Sequence, residues 1–255
     1  MDAYTARFGG IARLYGAAGL EKLRAAHVCV VGIGGVGSWT AEALARSGVG
    51  KLTLIDLDEV CLTNTNRQIH ALKDSIGKVK VQEMAERIRR INPDCTVKTH
   101  VKFFTEKTAA SILKTCYDYL VDAIDGLSNK CLMIAQCRER DIPIITCGAA
   151  GGRRDGTAVR VADLNRAKYD KLLFKVRKQL RQKHGFPRGT KKFGVTCVYS
   201  AEPVMYPQAD GTVCKEKAES EGSMKLDCES GLGAATQVTG AFGLAAAGFV
   251  VGELV

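Results

Sequence analysis

The sequence predicts an α/β protein, an open and mostly parallel sheet with a smaller C-terminal extension packed on the same sheet. Three observations predict it. Short apolar runs alternate with helix-period segments over residues 28–147. A glycine cluster follows the first of those runs directly. Hydrophobic residues make up 46% and charged residues 25% of the 255, a soluble globular composition that excludes collagen-like, disordered and small disulfide-scaffold chains.

Residues 11–26 alternate apolar and polar at helical spacing and stop at His27. His27-Val28-Cys29-Val30-Val31 is a short apolar run closed by glycines, the pattern of a buried parallel strand. Ser38–Ser47 reads as a helix ending at Gly48, and Lys51–Asp56 as the second strand. Val79–Ile91 is an amphipathic helix that stops before Asn92-Pro93. Thr96–Phe103, Tyr117–Ala123 and Pro143–Cys147 are the next strands, with a helix at Cys131–Arg140. Beyond residue 148 the chain is richer in Gly and Lys, with β-like runs at Ala158–Ala162 and Gly194–Ser200 and a basic helix over Arg166–Lys183. Residues 1–150 thus form a nucleotide-binding part and 151–255 a C-terminal part, read as one continuous domain. Gly240–Val255 is apolar except for Glu253, but 16 residues fall short of the roughly 20 that span a bilayer. Its small residues suit a buried or dimer-facing helix; membrane association through this tail is the minority reading.

Met1–Gly16 lacks a charged start followed by an apolar run, so no secretory signal is read there. The ten cysteines include no Cys-x-x-Cys pair, which excludes a paired zinc tetrad and fits reduced thiols in the cytoplasm. Net charge is +10 and is concentrated: residues 165–192 hold eleven Lys/Arg against the single acid Asp170, a surplus equal to that of the whole chain. A local basic patch points to an anionic partner.

Gly32-Ile33-Gly34-Gly35-Val36-Gly37 sits between the first strand and the first helix. Glycines there let the backbone turn and approach a phosphate, which meets the free N–H groups of the helix start. Asp56 lies 19 residues past Gly37, where a carboxylate can take ribose hydroxyls. This is a Rossmann-like nucleotide site, and the loop alone does not separate a dinucleotide from ATP. The residues that follow do. Asp58, Asn64, Arg67, Gln68 and Lys80 form a dense polar set that hydride transfer does not need, whereas a triphosphate needs cations. Asp122 and Asp125 end the fourth strand at the edge where such sheets bind ligands, and a carboxylate there suits Mg²⁺ bridging phosphates.

As a set, GxGGVGS, LIDxDxV, NxxRQ, IGxxK, INP and VDAID resemble the ubiquitin-activating-enzyme-like (ThiF/MoeB-type) adenylyltransferases, over roughly residues 7–160. Arg7–Gly16, Thr63–Leu72, Gly194–Ser200, Pro207–Gly211 and Asp227–Ala235 extend the similarity to the branch of tRNA threonylcarbamoyladenosine dehydratases. The resemblance implies ATP-driven activation of a carboxylate, with tRNA as partner, and the alternative of activating the Gly-Gly end of a ubiquitin-like sulfur carrier. It implies that Gly32, Gly34, Gly35, Gly37, Asp56 and Asp58 hold the nucleotide, that Asn64, Arg67 and Lys80 contact its phosphates, and that Asp125 coordinates Mg²⁺. It leaves open a monovalent cation beside the nucleotide and a cysteine-desulfurase or sulfur-acceptor partner. Relatives often place Asn after the metal-site Asp; here it is Gly126. Relatives also lend an N-terminal arginine across a homodimer; that register falls at Gly10, and Arg13 is taken over Arg7.

The basic helix offers Lys171, Lys175, Arg177, Lys178, Arg181 and Lys183 to RNA phosphates, with Tyr169, Phe174 and Phe186 interleaved; helical spacing makes Phe174 a core residue. Cys228 stands in a Gly/Ser-rich stretch where a thiol can act as nucleophile, though its acidic neighbours disfavour the thiolate. His70 and His100 are read as structural.

Overall fold

The computed structural model describes residues 2–208, 210–216 and 232–255. Seven strands form one sheet in the order β3-β2-β1-β4-β5-β7-β6. They are β1 His27–Val31, β2 Lys51–Ile55, β3 Thr96–His100, β4 Tyr119–Asp122, β5 Ile144–Cys147, β6 Val159–Asp163 and β7 Thr196–Ser200. All neighbours run parallel except β6, which is antiparallel to β7. A two-stranded ribbon, β8 Tyr206–Pro207 with β9 Val213–Cys214, lies beyond them. The C-terminal part therefore extends the sheet through β6 and β7.

Helices cover both faces: α1 Ala3–Ala25, α2 Gly35–Arg46, α3 Lys80–Ile91, α4 Glu106–Ile112, α5 Leu127–Glu139, α6 Lys171–Lys183 and α7 Thr236–Leu254. Alternation along β1 divides the core. Val28 and Val30 pack with Leu44, Met84 and Phe242 of α2, α3 and α7. Cys29 and Val31 pack with Ile112, Ile134 and Val176 of α4, α5 and α6. β1, β4 and β5 are central and almost wholly buried, which is why they read as unbroken apolar runs. The edge strand β3 is more exposed.

Several elements differ from the sequence expectation: α1 begins at Ala3 rather than residue 11, and α5 at Leu127 rather than Cys131. α2 begins at Gly35 rather than Ser38, because the last glycines of the loop already form its first turn. β3 stops at His100 rather than Phe103, since its partner β2 ends at Ile55 opposite His100. α6 begins at Lys171 rather than Arg166: the Asp170 side chain accepts from the Leu173 N–H and caps the helix there. The short α4 has no counterpart in the sequence reading.

α7 is long and apolar enough to cross a membrane, but half of its apolar window is buried inside the protein. Its small residues are spent on α2. A Cβ on Gly243 would lie 2.6 Å from Trp39 Cβ and from the Val36 carbonyl oxygen, so only glycine permits the approach. That packing replaces the membrane reading of the tail.

Candidate active site

The site begins where β1 ends. Gly32 turns the chain at φ +89°, and a Cβ there would lie 2.9 Å from the Ala123 carbonyl oxygen at the end of β4. A Cβ on Gly37 would lie 1.7 Å from the Gly32 carbonyl oxygen, so the loop closes on itself only with glycine. Gly34, the residue before α2, caps it without a side-chain bond, which leaves the first-turn N–H groups of α2 facing the loop's mouth.

Asp56, 8% exposed, braces this loop from the end of β2. Its Oδ2 accepts from the Ile33 N–H at 2.7 Å and its Oδ1 from the Asp58 N–H at 2.9 Å. Burial raises its pKa, opposed by those backbone bonds and by Lys80. Lys80, buried at the start of α3, places Nζ 2.9 Å from Asp58 Oδ2; the Asp58 side chain is about half exposed. Lys80 therefore reaches the cleft already held by a carboxylate.

The loop between β2 and α3 carries the other polar groups. Asn64 is buried, and its Oδ1 accepts from the Cys61 N–H. Arg67 is half-buried; its guanidinium donates to the Thr63 carbonyl at 2.7 Å and to Asn66 Oδ1. Its side chain runs beside Gly35, where a Cβ would lie 3.5 Å from Arg67 Cγ. The backbone here is tied down from α2 and α7: Trp39 Nε1 and Thr239 Oγ1 both donate to the Arg67 carbonyl. Gln68 approaches Gly34 through its amide nitrogen, while its buried Oε1 has no partner among the described residues. Ser38 Oγ, in the first turns of α2, is likewise buried without a partner. Such orphaned atoms beside a glycine cradle fit a ligand that completes their bonding.

At the end of β4 the two aspartates have different fates. Asp122 is fully buried, 2.8 Å from Lys130 Nζ, and accepts from Thr146 Oγ1 at 2.6 Å. It is a strut under the sheet edge rather than a metal ligand. Asp125 lies three residues further along, exposed, just past the Ala123 carbonyl that abuts Gly32. Among the described residues no group of three or more His, Cys, Asp or Glu side chains could hold a metal by itself. Asp125 can serve only as one ligand of an ion that phosphates also hold.

The structure thus gathers Gly32–Gly37, Asp56, Asp58, Asn64, Arg67, Lys80 and Asp125 around one edge. It leaves Arg13 elsewhere. α1 is fastened by Tyr4 and Phe8 to Gly48, at the end of α2 remote from Gly34. Arg13 is exposed there with its guanidinium along Gly9 and Gly10. The basic helix is also mixed: Arg177 donates to the Leu164 carbonyl, and Arg181 to Pro187, Asn165 and Gly189. Lys175, Lys178 and Lys183 are exposed. Phe174 is 60% exposed and Phe186 buried, the reverse of the expectation for Phe174, because Leu173, Val176 and Leu180 form the inward stripe of α6. The nine described cysteines are free thiols; Cys228 lies outside the described residues.

The ThiF family pattern matches residues 9–246. The chain belongs to the ThiF family. It is 52% identical over 246 residues, 96% of this chain and 92% of the relative, to the tRNA threonylcarbamoyladenosine dehydratase of Escherichia coli strain K12. The Haemophilus influenzae protein of the same name is 45% identical, spanning all of this chain and 95% of that one. A solved structure of E. coli tRNA N6-threonylcarbamoyladenosine dehydratase in complex with ATP superposes with a TM-score of 0.88 at 45% identity, covering all of this chain and 96% of that chain.

Within this ThiF chain, sequence reasoning overlooked Thr239 and Lys130. Nothing in Thr-Gly-Ala-Phe or Asn-Lys-Cys announces a role. The one available signal was a lysine placed where the apolar stripe of α5 should continue, eight residues after Asp122.

Proposed function

We propose that this chain is the ATP-dependent enzyme that cyclises threonylcarbamoyladenosine beside the anticodon of tRNA, with loss of water. The observation that carries the reading is the near full-length 52% identity to a tRNA threonylcarbamoyladenosine dehydratase, joined to a glycine cradle with Arg67, Lys80 and Asp125 at its rim.

The threonyl carboxylate, already ionised near neutral pH, attacks the α-phosphorus of ATP. The bond to the β-phosphate oxygen breaks and pyrophosphate leaves, giving an acyl-adenylate. The carbamoyl group then attacks the activated carbonyl, the ring closes, a proton is lost and AMP departs. The protein's share is positioning and charge. The α2 N-terminus and the glycine backbone receive phosphates, and Asp56 offers its remaining lone pairs to the ribose. Arg67 swings from its loop carbonyls onto the pyrophosphate, and Lys80 turns from Asp58 toward the same charge. Mg²⁺, with Asp125 as its protein ligand, would neutralise the leaving group. In a homodimer Arg13 could serve the partner's cradle, and the exposed lysines of α6 would grip RNA phosphates.

Incubation with ATP and threonylcarbamoyladenosine-bearing tRNA should release AMP and pyrophosphate together with cyclised tRNA. Absence of AMP above background would refute the reading. Pyrophosphate exchange that depends instead on a small protein ending in Gly-Gly would replace it with sulfur-carrier activation.

A further inference from the structure

Away from the glycine cradle the protein has a second concavity, of about 370 Å³, at the start of α6. Tyr169, Phe174 and Tyr206 supply aromatic rings to it, and Lys171, Arg177 and Lys215 supply positive charge against one lining carboxylate, Asp170. Three features mark it as built for a flat, anion-linked ligand. Tyr169 is 65% exposed and Phe174 60% exposed, so two large rings face solvent at one rim. Tyr169 sits at φ +58°, a region that non-glycine residues rarely adopt. That conformation is imposed from beneath: the Arg153 guanidinium, 2% exposed, donates to the Tyr169 carbonyl at 2.9 Å, and Asp170 is fixed by the N–H groups of Leu173 and Ala149. A strained backbone held by buried partners so as to expose an aromatic ring is a feature a purely structural loop does not need.

The pocket also has a defined position. Asp170 binds the Ala149 N–H, just past the end of β5, so α6 begins at the same carboxyl edge that carries the glycine loop. β5 lies two places from β1 in the sheet, roughly 10 Å at the usual strand spacing. The segment around it, residues 165–192, carries the whole net charge of the chain.

We propose that this pocket takes an unstacked nucleobase of the RNA substrate, held between the rings of Tyr169 and Phe174 while the lysines and Arg177 receive the adjoining phosphates. Sequence-tolerant recognition of single-stranded RNA works by such stacking. The proposal rests on the tRNA reading above and adds to it where the RNA is gripped and by which groups. Its occupant is RNA rather than a protein segment, because aromatic faces flanked by three cations against one carboxylate, itself capped by backbone N–H groups, complement bases and phosphates together.

The test uses the full-length protein, ATP and threonylcarbamoyladenosine-bearing tRNA. Tyr169→Ala and Phe174→Ala, single and combined, should weaken tRNA binding and raise its KM by roughly five- to hundred-fold per lost stack, as loss of a stacking partner does elsewhere. Their heat stabilisation by ATP with Mg²⁺ should stay at the wild-type value. Phe174→Tyr should restore tRNA affinity and Phe174→Leu should not, which separates stacking from bulk apolar contact. Both side chains are exposed, so melting without ligand should be unchanged. Wild-type tRNA affinity in the double alanine variant, or in Phe174→Leu, overturns the pocket while wild-type turnover leaves the tRNA reading intact. Failure of the wild type itself to bind or turn over modified tRNA overturns both.

Discussion

Two lysine–aspartate pairs occupy neighbouring ends of the same sheet, and they differ in what they are free to do. Lys130 and Asp122 are both fully buried, and every contact of the ammonium is internal: Asp122, Thr146 Oγ1 and the Cys147 carbonyl. Lys80 and Asp58 are equally close, but the Asp58 side chain is 52% exposed and faces the cleft. The first pair locks the ends of β4 and β5 together. The second can exchange its carboxylate for a phosphate. Sequence chemistry is the same in both; the partners that remain available decide which is strut and which is site.

The comparison breaks most severely at Lys130. Lys130→Met removes one member of a fully buried pair and leaves Asp122 charged or forced to protonate. Burial already raises the Asp122 pKa against the opposing pull of Lys130. The expected loss is about 3–5 kcal/mol of folding stability, read by denaturant unfolding, with activity falling because the protein unfolds. A change below about 1 kcal/mol would mean the strut is unimportant.

Lys80→Met should do the opposite. The partner left behind, Asp58, is half exposed and can be hydrated, so stability should move by less than about 1 kcal/mol. ATP-dependent release of AMP should fall about 10²- to 10³-fold, the usual scale for losing one group that stabilises developing charge. Single-turnover assay on modified tRNA, beside melting of the same sample, reads both. Arg67→Ala belongs with it, though its effect should be the smaller because the phosphates keep the glycine cradle.

How much of this is legible without the structure depends on whether a residue's role is local. Gly32–Gly37, Asp56 and the central strands are readable because tight turns and buried parallel strands impose their composition over a few adjacent positions. Lys130 is not, since its role exists only through Asp122 and Thr146 on two other strands. α4 escapes because Glu106–Ile112 is seven residues, barely two turns, too short to display a period. Spacing alone puts Phe174 in the core, yet α6 buries the stripe one position away. The exposure of Tyr169 depends on Arg153, sixteen residues earlier, and nothing in the local sequence carries it.

The smallest expected effect sharpens the comparison from a third case, a buried base with no hydrogen-bond partner among the described residues. His70 is 3% exposed, and neither ring nitrogen has a hydrogen bond among the described residues. Burial lowers its pKa to about 4, with further lowering from Lys80 and Arg87. The sign follows from proton uptake. Above the ordinary value near 6.5 the ring is neutral whether folded or not, and stability is unaffected. Below it the unfolded chain gains a proton that the folded protein refuses, so stability falls as pH drops from about 6.5 toward about 4. Between about pH 7 and pH 5 this one histidine should cost about 2 kcal/mol. Urea unfolding at the two pH values, in wild type and His70→Gln, isolates that share from His27 and His100, whose pKa values burial also lowers. The same measurement on Lys80→Met should give a smaller pH loss than wild type, because removing the ammonium lets the His70 pKa rise. An unchanged pH loss in that variant would mean that Lys80 turns its charge wholly toward the cleft and away from His70.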